Sequence, residues 1–337
     1  MKITRRDFLK TTALTSLYFA GFGAPGYTNS GTKKNLVVIM LRGGMDGLCA
    51  IPIKSDKNFE KLRSKINLDK TLSLTSDFDL HPALKTFKSL WDQNQSAAVH
   101  ATNIPYTGRS HFDGQNLMES GGKIPYQEKT GWLGRGMKIA GLTGNGLALA
   151  LPMPLLIRGV PMNNNYFPVG HKLPYPSTLK IIQEAYKQYD EKLLSENLEI
   201  IQTRELSNTT SDESWVLASN AANELSKPHG PKVAVFEVDG FDTHAAQGAT
   251  NGAHADCLKE YDRIVKGLKG SLGNEFENTL ILTLTEFGRT IEQNGGRGTE
   301  HGYGSAIFMA GGLLKKSQVY TDWPGLKRKE LLSLIHI

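Results

Sequence analysis

The sequence of 337 residues is poor in cysteine: Cys49 and Cys257 are its only two. That is too few for a disulfide scaffold, and no CxxC spacing offers zinc or dithiol chemistry. There is no internal repeat and no low-complexity tract, and 39% hydrophobic residues exclude disordered, collagen-like and coiled-coil classes. A sizeable core in one or two domains follows. No stripe of Lys and Arg interleaved with aromatics runs along the chain, as a nucleic-acid groove requires. Half of the formal charge of +6 sits at the start, where Lys2, Arg5, Arg6 and Lys10 face only Asp7. The remainder is near neutral, and the basic clusters at 33–34, 315–316 and 327–329 read as solvated faces. The turn from Gly43 to Gly47 (GGMDG) lacks the GK[ST] ending of a phosphate-binding loop, which disfavours nucleotides.

What is present begins with a targeting pattern. Thr4 to Lys10 (TRRDFLK) precedes a weakly apolar stretch, Thr11 to Ala24, of signal-peptide length and too short for a membrane span. Paired arginines followed by x-Phe-Leu-Lys resemble the twin-arginine export signal at every position. The resemblance implies residues 1–24 as signal peptide, folding before export, a periplasmic or otherwise extracytoplasmic location, and the twin-arginine translocation machinery as a partner. No transmembrane span is expected in the mature chain, and no lipobox cysteine follows the apolar stretch.

From residue 35 onward apolar runs alternate with helical periods. Leu36 to Leu41 (LVVIML) reads as a strand buried on both faces. His81 to Trp91 has a helical period through Leu84, Phe87, Leu90 and Trp91; Ala97 to His100 reads as a short strand and Ser110 to Glu119 as a helix. Residues 176–226 are polar, helical in period and broken near Ser207 to Ser211, an excursion from the core. Strands at 232–238, 279–285 and 305–310 flank a helix at 253–268. This alternation predicts an α/β domain over 35–331 with a mostly parallel central sheet and helices on both faces.

In such sheets the working residues lie beyond the carboxyl ends of strands. The first strand ends at Asp46 in its glycine turn. The strand at 232–238 runs into DGFDTH, with Asp239, Asp242 and His244; the strand at 279–285 ends at Glu286; the turn before the last strand holds His301. After the strand at 97–100 come Thr107, Arg109, Ser110, His111 and Asp113. Each has an ordinary reading as a turn, cap or surface residue. Together they present the oxygen and nitrogen donors that a divalent cation takes from converging loops.

The stretches NLVVIMLRGGMDGL, HPALKTFKSLW, TGRSHFDGQNLMESG, VDGFDTHAAQG, LTEFGRTIEQNG and GTEHGYGSAIFMAGG, in this order over about 35–325, resemble the exported family called domain of unknown function 1501, within the alkaline phosphatase-like and sulfatase-like superfamily. The resemblance implies that fold. It implies metal ligands at Asp46, at Asp239 or Asp242 with His244, at Glu286 and at His301. It also implies a nucleophile at Ser110 or Thr107, with Arg109 positioned for an oxyanion; the chemistry of such a site leaves Arg42 or Arg289 in second place as the clamp, and His111 as acid or base. Where the superfamily carries an Asp-His pair this chain has Glu286-Phe287, one imidazole fewer. Two readings follow: a hydrolase of small-molecule phosphate or sulfate esters using a divalent metal (Zn, Mn, Ca or Mg), or a catalytically inactive relative acting as a periplasmic binding or assembly component.

The chain ends in Leu332 to Ile337 (LSLIHI), which coincides with one reading frame of a transposase adaptor used in DNA library preparation. These six residues are expected to be an artefactual tail, with the natural C-terminal end missing.

Overall fold

The structure, a computed structural model, describes residues 34–149, 152–161, 163–165, 176–188 and 214–327. The signal-peptide reading of 1–24 and the tail at 332–337 lie outside the described residues. Among the described residues no helix is long and apolar enough to cross a membrane.

In chain order the strands are β1 (Asn35–Leu41), β2 (Leu72–Ser73), β3 (Asp79–Leu80), β4 (Ser96–Thr102), β5 (Gly146–Leu149), β6 (Asn164–Asn165), β7 (Val233–Val238), β8 (Thr279–Leu284), β9 (Ser305–Ala310) and β10 (Val319–Tyr320). The described helices are α1 (Gly47–Ala50), α2 (Asn58–Leu62), α3 (Lys85–Asp92), α4 (His111–Ser120), α5 (Trp132–Ile139), α6 (Pro176–Gln188), α7 (Ser214–Ser226) and α8 (Ala253–Leu272). Eight strands form one sheet in the order β10-β4-β9-β8-β1-β7-β5-β6, and β2 pairs with β3 in a separate antiparallel ribbon. In the sheet β8, β1, β7, β5 and β6 are parallel neighbours, as are β10 and β4; only β9 runs against them, antiparallel to both β8 and β4. The sheet is therefore mostly parallel.

Alternation along β1 explains its unbroken apolar run. Val37, Ile39 and Leu41 enter a core with α3, α7 and α8, whereas Val38 and Met40 enter a second core with Met118 of α4 and Leu133 and Met137 of α5. Strand side chains point alternately to the two faces, so a strand covered on both sides must be apolar at every position. On α8, Ala255, Leu258, Tyr261, Val265, Leu268 and Leu272 recur every three or four residues and are buried. Asp262 on the same helix accepts from Thr86 N (2.9 and 3.0 Å) and Phe87 N (3.1 Å). It caps α3, which has no side-chain cap of its own.

Two compact units divide the chain: Met1–Tyr166 with Ser214–Ile337, and Phe167–Glu213. The expected excursion is thus narrower than 176–226. Its second half, α7, puts Ala218, Ala221, Ala222 and Leu225 into the main core, because small residues at this spacing let the helix lie close. Within the second unit, α6 is described and runs for 13 residues.

Burial lowers the pKa of three imidazoles, His81, His100 and His254. His100 donates from Nε2 to Ile51 O (2.9 Å) and lies against Phe78 and Trp323; burial pushes it down to about 4. Burial pushes His254 down to about 3. With both folded values below the ordinary 6.5, the unfolded chain takes up protons first. Stability is full above that value and is lost as the pH falls toward 4 and then 3. Urea midpoints across this range should fall accordingly, and His100→Phe should flatten the profile between pH 6.5 and 4.

Candidate metal centre

The carboxyl edge of the sheet collects side chains from five segments. The antiparallel sense of β9 is what brings His301 there, since the turn before β9 meets the end of β8. An isolated bridge between Arg289 and His301 closes that turn. Gly43 follows β1 with φ of +111°, and a Cβ there would stand 2.4 Å from Asp242 N. Only glycine lets the two strand-end loops lie against each other. Ser110 caps α4, its Oγ accepting from Asp113 N at 3.4 Å, and His111 is the first residue of that helix.

His301 Nε2 lies 2.9 Å from His111 Nε2, 2.9 Å from His244 Nε2 and 3.1 Å from Asp242 Oδ1. Asp242 Oδ1 lies 3.3 Å from His111 Nε2 and 3.0 Å from His244 Nε2. The pair His301 and Asp242 is thus the shared edge of two triangles, closed by His111 on one side and His244 on the other. Each ring is held by its other nitrogen: His111 Nδ1 on Glu286 Oε1 (2.8 Å), His244 Nδ1 on Glu300 Oε2 (2.8 Å) and His301 Nδ1 on the Arg109 carbonyl (2.7 Å). All three partners are acceptors, so each Nδ1 carries a proton; in the neutral rings the Nε2 lone pairs then face one another. Facing lone pairs at such distances repel unless a cation lies among them. Tetrahedral bonds of about 2.0–2.1 Å separate the donors by about 3.3 Å, close to the spacing here. Imidazole nitrogens backed by carboxylates or carbonyls are the arrangement that metal sites use. The donor set fits a borderline divalent cation, with His111, Asp242 and His301 as the mutually close group and His244 beside two of them.

The expected site residues are sorted by this geometry. Asp242 joins the group, while the Asp239 side chain stands exposed. His111, expected as an acid or base, joins as a donor. Asp46 does not join. It is buried, with Oδ2 bound by Arg63 Nη1 (2.5 Å) and Gln247 Nε2 (2.7 Å), and Oδ1 by Cys49 N (3.2 Å) at the start of α1. Burial, the largest single influence, raises its pKa, but the charges and hydrogen bonds around it, Arg63 foremost, together outweigh burial and hold the carboxyl below its ordinary value. Removing one partner of such a buried pair costs about 3–5 kcal/mol. Glu286 does not join either: its Oε1 accepts from Gly43 N (2.8 Å), His111 Nδ1 (2.8 Å) and Gln115 Nε2 (3.0 Å). Phe287 is buried and lies against the rings of His111 (4.8 Å) and His301 (5.0 Å).

Of the arginines, Arg42 is bound by Glu119 and Glu237. Arg289 is buried on Asp242 Oδ1 (2.8 Å), and the Arg109 side chain is exposed. Neither Arg42 nor Arg289 is placed to clamp an oxyanion. Thr107 is exposed, its carbonyl accepting from Tyr303 Oη (3.2 Å). Sequence reasoning missed Arg63, Gln247, Thr299 and Glu300. Of these, only Glu300, beside His301, carried a signal that could have drawn notice.

Residues 207–337 match the family described as protein of unknown function DUF1501. The DUF1501 match includes Asp242, His244, Glu286 and His301; Asp46 and the segment Thr107–His111 precede it. A search of curated proteins finds no match. Structures similar to this chain include the C-terminal periplasmic domain of EcEptC from Escherichia coli in complex with Zn (10% identity, TM-score 0.43, covering 84% of this chain and 74% of that one). They also include a protein in the alkaline phosphatase superfamily from Vibrio parahaemolyticus (10%, 0.45, 91% and 71%) and BT1596, a 2-O GAG sulfatase (10%, 0.41, 83% and 64%).

The bond to Glu286 raises the pKa of His111 above its ordinary value, against burial. Glu286→Gln keeps an acceptor but removes the charge. The NMR titration midpoint of the His111 ring in metal-free protein should fall, with the fold retained.

Proposed function

We propose that this protein is an exported, metal-dependent hydrolase of phosphate or sulfate esters. The observation that carries the reading is the convergence of three imidazole Nε2 atoms on Asp242 Oδ1, each ring pinned through Nδ1. His111, Asp242 and His301 would hold the metal, with His244 as a further donor. When bound, the metal supplies Lewis acidity toward an anionic ester and lowers the pKa of a coordinated hydroxyl.

The chain's own residues supply the rest. Ser110 stands at the N-terminus of α4 next to His111, where the helix dipole favours negative charge. Its hydroxyl is the preferred nucleophile, with Thr107 the alternative on the same loop. Attack on phosphorus or sulfur displaces the alcohol, and water then releases the acid from the serine. Arg109, exposed beside the site, balances the equatorial oxygens. Glu286 fixes the His111 ring, and Phe287 excludes water from its inner side. Export rests on the twin-arginine pattern at Arg5 and Arg6.

A second reading, a catalytically inactive binding or assembly component, is favoured by Phe287 at a position expected to hold an imidazole and by the neutralisation of Asp46 by Arg63. Metal analysis and turnover of aryl phosphates and sulfates by the mature protein separate the two. The hydrolase reading expects stoichiometric metal and turnover, lost with metal in His301→Ala and lost with metal retained in Ser110→Ala. Metal without turnover of any such ester favours the second reading; absence of both sinks the first.

A further inference from the structure

Behind the imidazoles runs an unbroken chain of hydrogen bonds that starts at Asp46 and is buried up to its last member. Gln247 Nε2 donates to Asp46 Oδ2 (2.7 Å), and Gln247 Oε1 accepts from Thr299 Oγ1 (2.7 Å) and Thr243 Oγ1 (3.0 Å). Thr299 Oγ1 accepts from Arg289 Nε (3.2 Å), and Arg289 Nη1 donates to Asp242 Oδ1 (2.8 Å). Gln247 and Thr299 are fully buried. Arg63 anchors the far end: beyond its bond to Asp46, its Nε donates to Ile291 O (2.8 Å) and its Nη2 to Thr290 O (2.7 Å), just past Arg289.

We propose that Asp46, Gln247, Thr299 and Arg289 form a positioning relay that aims Asp242 Oδ1 at the metal, so that Asp46 serves the site as an anchor and not as a ligand. The inference rests on the metal reading given above. The donor sequence permits one polarity. Arg63 and the Gln247 amide nitrogen only donate, so Asp46 only accepts. With its nitrogen turned to Asp46, the Gln247 oxygen must receive the two hydroxyls. Thr299 has one proton, committed to Gln247, and its lone pair is thereby turned to Arg289. The guanidinium, planar and without an acceptor, then has its Nη1 fixed on Asp242. Arg289 Nη2 is buried without a partner, so Nε and Nη1 alone fix the guanidinium, and one break in the chain behind it leaves several buried groups unpaired. Asp242 is the half-exposed member at the end of this chain, and the relay is what restrains it from the inside.

The test is zinc affinity, measured by competition with a chromophoric chelator on full-length protein shown to be folded by circular dichroism well below its melting temperature. Thr299→Val keeps the shape and removes the hydroxyl, and should weaken zinc binding about 10–100-fold, the usual loss for a residue that orients a ligand. Thr299→Ser keeps the hydroxyl and should bind zinc as the wild type does. A merely structural role would lower the melting temperature of Thr299→Val and leave the affinity of the folded protein unchanged, which would overturn the relay while the metal reading stands. Wild-type protein that takes up no zinc overturns both. If Thr299→Val does not fold, Gln247→Met breaks the chain one bond further from Asp242, and the same drop or constancy in zinc affinity decides the matter.

Discussion

Three neutral imidazoles whose Nε2 atoms stand about 3 Å from one carboxylate oxygen, with His301 about 3 Å from each of the other two, are an unfavourable arrangement, and the carboxyl edge of this sheet is built to maintain it. Each ring could relieve the repulsion by flipping or by moving its proton. Each is prevented by an acceptor on its far side, and the acceptors come from separate places: Glu286 at the end of β8, Glu300 in the turn before β9, and the Arg109 carbonyl in the loop after β4. Phe287 closes the remaining freedom by lying against two of the rings. Since no single loop controls the geometry, the site depends on the sheet that holds all of these segments in register.

The direction of β9 is the decisive feature of that sheet. Were β9 parallel to its neighbours, the turn that precedes it would lie at the opposite edge, about 20 Å away for a strand of six residues. Running antiparallel between β4 and β8, it places Ser305, whose Oγ donates to Met45 O (2.6 Å), beside the end of β1. His301 arrives at the cluster as a consequence. An expectation of strand-end chemistry that includes a residue before a strand is consistent only with this reversal.

Much of this was legible in the sequence, and the limits have physical causes. The long strands and helices declared themselves through periodicity, and the polar runs that follow β1, β4, β7 and β8 marked the edge where chemistry gathers. Strand direction is not a property of a strand's own residues, so β9 could be located but not oriented. DGFDTH offers two carboxylates, and only the backbone path, with Gly43 packed on Asp242 N, selects the second. β5 and α5 are not among the elements expected from the sequence, since their four and eight residues are too short to declare themselves between turns. Arg63 lies between Lys61 and Lys65, and nothing local marks it as the one that turns inward to Asp46. Gln247 and Thr299 are neutral residues whose importance lies in connecting charged ones across the chain.

Charge accounting ties these residues together. Four carboxylates, Asp46, Asp242, Glu286 and Glu300, face two guanidiniums, Arg63 and Arg289, in one connected network with three imidazoles whose protons are held at Nδ1. The imbalance is two negative charges, the charge of one divalent cation. The buried members, Asp46 and Glu286 against Arg63 and Arg289, balance among themselves, so the excess of two falls on Asp242 and Glu300, which reach solvent; an uncompensated charge among the buried members would cost several kcal/mol. A buried ion pair such as Asp46 and Arg63 is seldom more stabilising than a well-packed apolar pair of the same volume, so stability alone gives no reason to keep it. Without Arg63 the edge would carry a third negative charge far from solvent. With it, the demand for positive charge falls on the cluster of Nε2 atoms and Asp242 Oδ1, the one place in this network where the lone pairs already converge.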